Sequence, residues 1–208
     1  MTAAVFGGTF DPFHIGHLAM VRAALRELQP DRLWVVPTGN PPYRQQSGKI
    51  TAGELRLRMA EDAAADLTDP AARSRIEVLP DEIRREGLTY TADTVAELHS
   101  RYPGCRLILV CGADSLLTMH RWVRISAVFS LAEAACFLRP GEAGRKSCEQ
   151  AAALLAERFN ARITFLRAPI PDVSASLIRE RVRRGEDISR LVSPSVRRDI
   201  EQFGLYRD

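Results

Sequence analysis

Gly7 to Leu18 reads Gly-Gly-Thr-Phe-Asp-Pro-Phe-His-Ile-Gly-His-Leu, and these residue types suit the handling of phosphate. Gly7 and Gly8 close the apolar run 2–6 and are followed by Thr9 and Phe10. Glycines at a strand end let backbone N–H groups approach an anion closely. A helix that starts just beyond adds free N–H donors and the positive end of a dipole. Neither G-x-G-x-x-G nor G-x-x-x-x-G-K-[ST] is spelled here, so this is an anion site of another kind. His14 and His17 stand three residues apart, which predicts both imidazoles on one face in the first helical turn. Gly16 between them is expected to leave room for a phosphate. Two imidazoles there would donate to phosphate oxygens, and such bonds strengthen as charge builds up in a transition state. A lone helical histidine is more often structural. A pair flanking a glycine, directly after a Gly-Gly turn, points to chemistry.

A second cluster follows Pro171-Asp172. Ser174, Ser176 and Arg179 lie at the start of a helical pattern that Asp172 or Ser174 would cap. All three could face one anion, and the planar fork of arginine suits phosphate oxygens. Arg181, Arg183 and Arg184 read as solvated surface charge.

The elements that must hold these clusters alternate. Apolar runs at 2–6, 33–36, 75–79, 106–111, 134–138 and 163–166 read as strands. Between them, helical spacing covers about 14–28, 51–67, 91–102 and 146–159, with another helix starting after Gly112. Thr51 and Glu54 spell a capping box for the second of these. Residues 38–50 read as a loop, and the chain after Asp172 reads as helical. Such alternation predicts an α/β fold, a doubly wound parallel sheet with helices on both faces. The division expected is a single domain, with a sheet core over 1–171 and a small C-terminal helical part over 172–208.

Composition is consistent with this. A chain of 208 residues, 46% hydrophobic, can bury a core. The net charge of +3 suits small anionic substrates and is too weak to argue for nucleic acid. Cys105, Cys111, Cys136 and Cys148 form no C-x-x-C pair, so buried reduced thiols are expected. No apolar run approaches the ~18 residues of a membrane span, and Met1–Gly8 lacks the pattern of a secretory signal. A cytoplasmic location is the expectation.

Gly7–Leu18 resembles the signature of the HxGH nucleotidyltransferase superfamily, and Val173–Arg179 resembles its second signature, I-S-x-x-x-I-R, with Val173 for Ile. Further stretches resemble the bacterial nicotinate-nucleotide adenylyltransferases. They are Asn40–Arg44, Thr89–Thr94, Gly112–Leu116 with Trp122 beyond, Arg139–Gly141 and Gly204–Tyr206. Tyr43 and Arg44 stand where many members carry His and Lys, and Thr89 stands for Ser. The resemblance spans essentially the whole chain and implies a Rossmann-like core.

It also implies an activity: ATP and nicotinate mononucleotide would give nicotinate adenine dinucleotide and pyrophosphate, with Mg²⁺ delivered by ATP and no protein metal ligand. His14, His17, Ser176 and Arg179 would be catalytic. Gly7, Gly8, Thr9, Phe10, Gly16, His17, Gly112, Asp114, Arg139, Ser174, Ser176 and Arg179 would bind ATP. Gly8, Thr9, Arg44, Tyr90, Thr91 and Trp122 would bind the mononucleotide, with Trp122 stacked on the pyridine. The implied partners are these small molecules, not nucleic acid or membrane, and a homo-oligomer stays open. The alternatives are a superfamily enzyme with another acceptor, such as pantetheine phosphate or nicotinamide mononucleotide, and a non-catalytic nucleotide- or RNA-binding module.

Overall fold

The computed structural model describes residues 1–42, 50–138 and 142–207. In chain order its elements are β1 (Thr2–Gly8), α1 (Ile15–Glu27), β2 (Arg32–Pro37), α2 (Gly53–Ala65), α3 (Pro70–Arg73), β3 (Ile76–Val78), α4 (Asp81–Arg84) and α5 (Thr91–Arg101). Then come β4 (Arg106–Gly112), α6 (Ala113–Thr118), a 3₁₀ turn (Met119–Arg121), α7 (Ile125–Leu131), β5 (Ala132–Phe137), α8 (Glu142–Phe159), β6 (Ile163–Leu166), α9 (Ala175–Arg183) and α10 (Pro194–Gln202). The strands form one sheet in the order β3-β2-β1-β4-β5-β6, and every pairing is parallel. This is the Rossmann-like α/β arrangement expected.

Alternation along each strand divides the core into two layers. Ala4, Phe6, Leu33, Val35, Ile108 and Val110 face one layer, with Leu18, Val21 and Leu25 of α1 and Met59 of α2. Ala3, Val5, Trp34, Val36, Leu107 and Leu109 face the other, with Val95 and Leu98 of α5, Leu116 of α6, Val128 of α7 and Leu155 of α8. Ile178 of α9 and Val196 and Ile200 of α10 join the first layer. The helical part after residue 172 therefore shares the core of the sheet domain. Among the described residues, no helix is long and apolar enough to cross a membrane.

Two local expectations fail. The Thr51 capping box does not form: α2 starts at Gly53, with Ala52 as its cap and no side-chain cap bond. The Thr51 backbone is drawn into longer-range bonds instead, its N–H to Asp11 Oδ2 (3.3 Å) and its carbonyl accepting from Arg56 Nε (3.0 Å). The short helices α3, α4 and α7 were not expected. They carry too few residues to show a period. All four cysteines are buried and unbridged by disulfides, as expected.

Candidate active site

In an open parallel sheet the ligand crevice lies beyond the strand ends where the order reverses. Here that point lies between β1 and β4, whose ends carry Gly7-Gly8 and Gly112. A Cβ on Gly7 would meet nothing within 4 Å, so the chain above β1 is open. A Cβ on Gly8 would fall 2.5 Å from the Phe10 ring, so that position requires glycine. Phe10 has a left-handed backbone (φ 50) and is only 2% exposed.

His14 is not inside the first helical turn, as the spacing suggested, but is the N-cap of α1, and His17 is the third residue of the helix. The His14 N–H donates to Nδ1 of His17 (3.2 Å), and the His17 N–H donates to Nδ1 of His14 (3.4 Å). This is a capping box in which both side chains are imidazoles. The rings stack, with centroids 3.5 Å apart and planes 18° from parallel. Phe6, Phe10 and Phe13 surround His17 at 6.0, 4.9 and 5.0 Å. An Nδ1 that accepts a backbone N–H places the proton of a neutral ring on Nε2. The pair therefore presents two Nε2–H donors. Gly16 leaves room for this pair: a Cβ there would lie 3.0 Å from the His14 ring.

Burial keeps both rings neutral. It pushes His14 from 6.5 to about 4. It also pushes His17 well below its ordinary value, with the neighbouring His14 adding to the effect. An unfolded imidazole titrates near 6.5, so at lower pH the unfolded state binds more protons than the folded one. The stability from these groups is complete above about pH 6.5 and is lost as pH falls toward about 4, on the order of 3 kcal/mol for His14. Glu82, whose carboxyl burial pushes up, acts with the opposite sign. The thermal midpoint of the unliganded protein should fall from about pH 7 to about pH 5, and fall less in His14→Asn, which retains a cap. Equal falls in both proteins would remove His14 as a cause.

The second cluster reaches the first directly. Ser174, not Asp172, caps α9, accepting the Leu177 N–H at 3.2 Å. Arg179 donates from Nη1 to the Asp11 carbonyl (2.7 Å) and from Nη2 to Ser176 Oγ (3.2 Å). The Ile15 N–H, which no helical carbonyl can take, donates to the Leu191 carbonyl at 3.0 Å.

Arg56 of α2, 2% exposed, fixes the loops around the site. Besides Thr51 it donates to the carbonyls of Thr9 (2.8 Å) and Gly39 (3.2 Å). A Cβ on Gly39 would fall 1.9 Å from the Glu82 carbonyl oxygen, so only glycine fits there. Glu82 accepts from Thr94 Oγ1 (2.6 Å) and from the Gly39 N–H (3.4 Å), and the Asn40 N–H donates to Thr89 Oγ1 (3.1 Å). Thr89 and Thr94 thus anchor the segment. Tyr90, the N-cap of α5, and Thr91 remain half-buried beside the first free N–H groups of that helix.

Trp122 ends the 3₁₀ turn half-buried against the second core layer. Two residues on, Arg124 pairs with Asp93 (2.6 Å) and lies 5.6 Å from the Tyr90 ring centroid. Asp114 lies in the first turn of α6, which Gly112 caps. Tyr43, Arg44 and Arg139 fall outside the described residues. Sequence reasoning assigned no role to Asp11, Arg56, Glu82 or Arg124. Asp11 alone lay within a signature, and Gly204–Tyr206 gave a motif without a contact.

The cytidylyltransferase-like family model matches residues 5–181. A probable nicotinate-nucleotide adenylyltransferase of Clostridium tetani is 34% identical, over 98% of each chain. One of Exiguobacterium sibiricum is 36% identical, over 99% of each chain. The Plasmodium falciparum nicotinic acid mononucleotide adenylyltransferase, solved with NaAD, has the same fold at 16% identity (TM-score 0.80, 99% of this chain and 97% of that one). Signatures that meet in space and whole-length identity to these relatives agree: this chain belongs to the nicotinate-nucleotide adenylyltransferase family.

Proposed function

We propose that this chain transfers the adenylyl group of ATP to nicotinate mononucleotide, forming nicotinate adenine dinucleotide and pyrophosphate in NAD biosynthesis. The observation that carries this reading is the stacked, neutral His14–His17 pair at the switch point, joined through Asp11 to Arg179. The 5′-phosphate oxygen of the mononucleotide attacks the α-phosphorus of ATP. The bond to the bridging oxygen breaks, and its electron pair leaves with pyrophosphate. The nucleophile is already an anion, so positioning and electrostatics supply the rate.

His14 and His17 donate to the α- and β-phosphates. Ser174, Ser176, Arg179 and Arg139 hold the departing end. Backbone groups from Gly7 to Phe10 line the phosphates, with Gly16 making space for the imidazoles. Gly112 and Asp114 take the adenosine side. Gly8, Thr9, Arg44, Tyr90, Thr91 and Trp122 hold the mononucleotide, whose carboxylate suits the first N–H groups of α5. Mg²⁺ would arrive with ATP, held mostly by phosphate oxygens and water, and would supply charge neutralisation of the triphosphate. Among the described residues no group of three or more His, Cys, Asp or Glu could hold a metal, and no residue is assigned to it. A cytoplasmic location fits four unbridged cysteines.

Pyrophosphate release tests the reading, with ATP plus nicotinate mononucleotide, nicotinamide mononucleotide or pantetheine phosphate in turn. Release fastest with a different acceptor would overturn it. Trp122→Ala should raise KM for the mononucleotide about tenfold, as loss of a stacking face does, and leave KM for ATP near its original value. Equal changes in both would make Trp122 a core residue only.

A further inference from the structure

The segment after α10 returns to the first signature. Leu205 and Tyr206 pack against the first core layer, and Tyr206 has a left-handed backbone (φ 62). A bulky residue rarely takes that conformation unless its surroundings hold it there. Here the phenol donates to Asp11 Oδ1 at 2.7 Å. The Asp11 carboxylate is 3% exposed, and its other oxygen accepts the Thr51 N–H. The carbonyl of the same residue accepts Arg179. Asp11 is thus gripped at both carboxylate oxygens and at its backbone, between Phe10 and the cap of α1. Burial and the nearby Asp11 carboxylate push the phenol above its ordinary pKa, so it stays a donor at neutral pH.

We propose that Tyr206 is a positioning residue for the pyrophosphate side of the site: by holding the Asp11 side chain it fixes the Asp11 carbonyl that seats Arg179. Tyr206 touches neither substrate in this account. It sets the separation of two phosphate-binding segments that lie 168 residues apart in sequence at Asp11 and Arg179. The pyridine side, around Tyr90 and Thr91, is anchored by Glu82 and Asn40 and reaches Asp11 only at a distance, through Gly39, Arg56 and Thr51.

The inference rests on the adenylyl-transfer reading, and the test separates the two. Tyr206→Phe keeps the ring and its packing and removes one hydroxyl. In the reverse reaction, KM for pyrophosphate should rise several-fold, with a ceiling of about tenfold if the whole worth of a hydrogen bond to a charged group is transmitted through Asp11 to Arg179, and KM for the dinucleotide should change less than about twofold. A purely structural role would lower the active fraction, and so kcat, without this split. Unchanged kinetics, or equal rises in both KM values, would overturn the proposal.

A double-mutant cycle adds a second arm. Asp11→Ala combined with Tyr206→Phe should be no worse for pyrophosphate than Asp11→Ala alone, because both act along one path. Additive effects would overturn it. If no mononucleotide supports turnover, the functional reading fails by itself. Calorimetric titration of pyrophosphate into the original protein and Tyr206→Phe then decides the inference, and equal Kd values would overturn it.

Discussion

His17→Ala should lower kcat by about a hundredfold or more, the usual cost of removing one donor to a developing charge. KM for nicotinate mononucleotide should change little, because His17 lies in the cap of α1 and the pyridine residues lie around α5 and the 3₁₀ turn. The effect has two parts. The substitution removes one Nε2–H, and it also removes the Nδ1 that receives the His14 N–H. His14 then loses its stacking partner and the bond that completes its cap. A fall in kcat matched by an equal fall in kcat/KM would mark an interaction made in the transition state alone. Turnover near that of the unmodified enzyme would remove the histidine pair from the mechanism.

Arg56→Met should cause a large loss of stability. The replacement fills much of the same volume but donates nothing. The carbonyls of Thr9, Gly39 and Thr51 would lose a buried partner. Each orphaned carbonyl costs about 1 kcal/mol or more where water cannot replace the guanidinium, so the three together cost about 3 kcal/mol. For a chain of this size that corresponds to a fall of about 10 °C in the thermal midpoint. Activity should fall as well, because the Thr9 carbonyl belongs to the first signature and Gly39 abuts the segment 89–94. Chemical denaturation checks the magnitude. A change within about 1 kcal/mol would show that solvent replaces the guanidinium at no cost.

The strands were legible because a parallel sheet buried on both faces writes itself as apolar runs closed by Gly or Pro. β1 ends at Gly8 and β2 at Pro37. Both signatures were legible because the chemistry fixes residue types at short spacing, as in His14 and His17. Other features depend on groups far apart in sequence. Thr51 looked like a cap because the local pattern fits one, yet its backbone is engaged by Asp11, 40 residues away. Arg56 looked like any helical arginine, and only the approach of the loops after β1 and β2 buries it. Gly39 is required by the Glu82 carbonyl, a contact no local pattern records. Tyr206 gave a motif match, and its partner Asp11 is 195 residues away.

The reciprocal cap of His14 and His17 also bears on entropy. A surface histidine samples several rotamers and both ring orientations, and freezing it during turnover would add to the barrier. Each imidazole here is pinned at one nitrogen by the backbone of the other. Turning either ring over would break a bond that starts α1. The disorder is removed when the helix forms, so each encounter with ATP meets donors already aimed. The same two hydrogen bonds that begin the helix therefore spare the reaction a search.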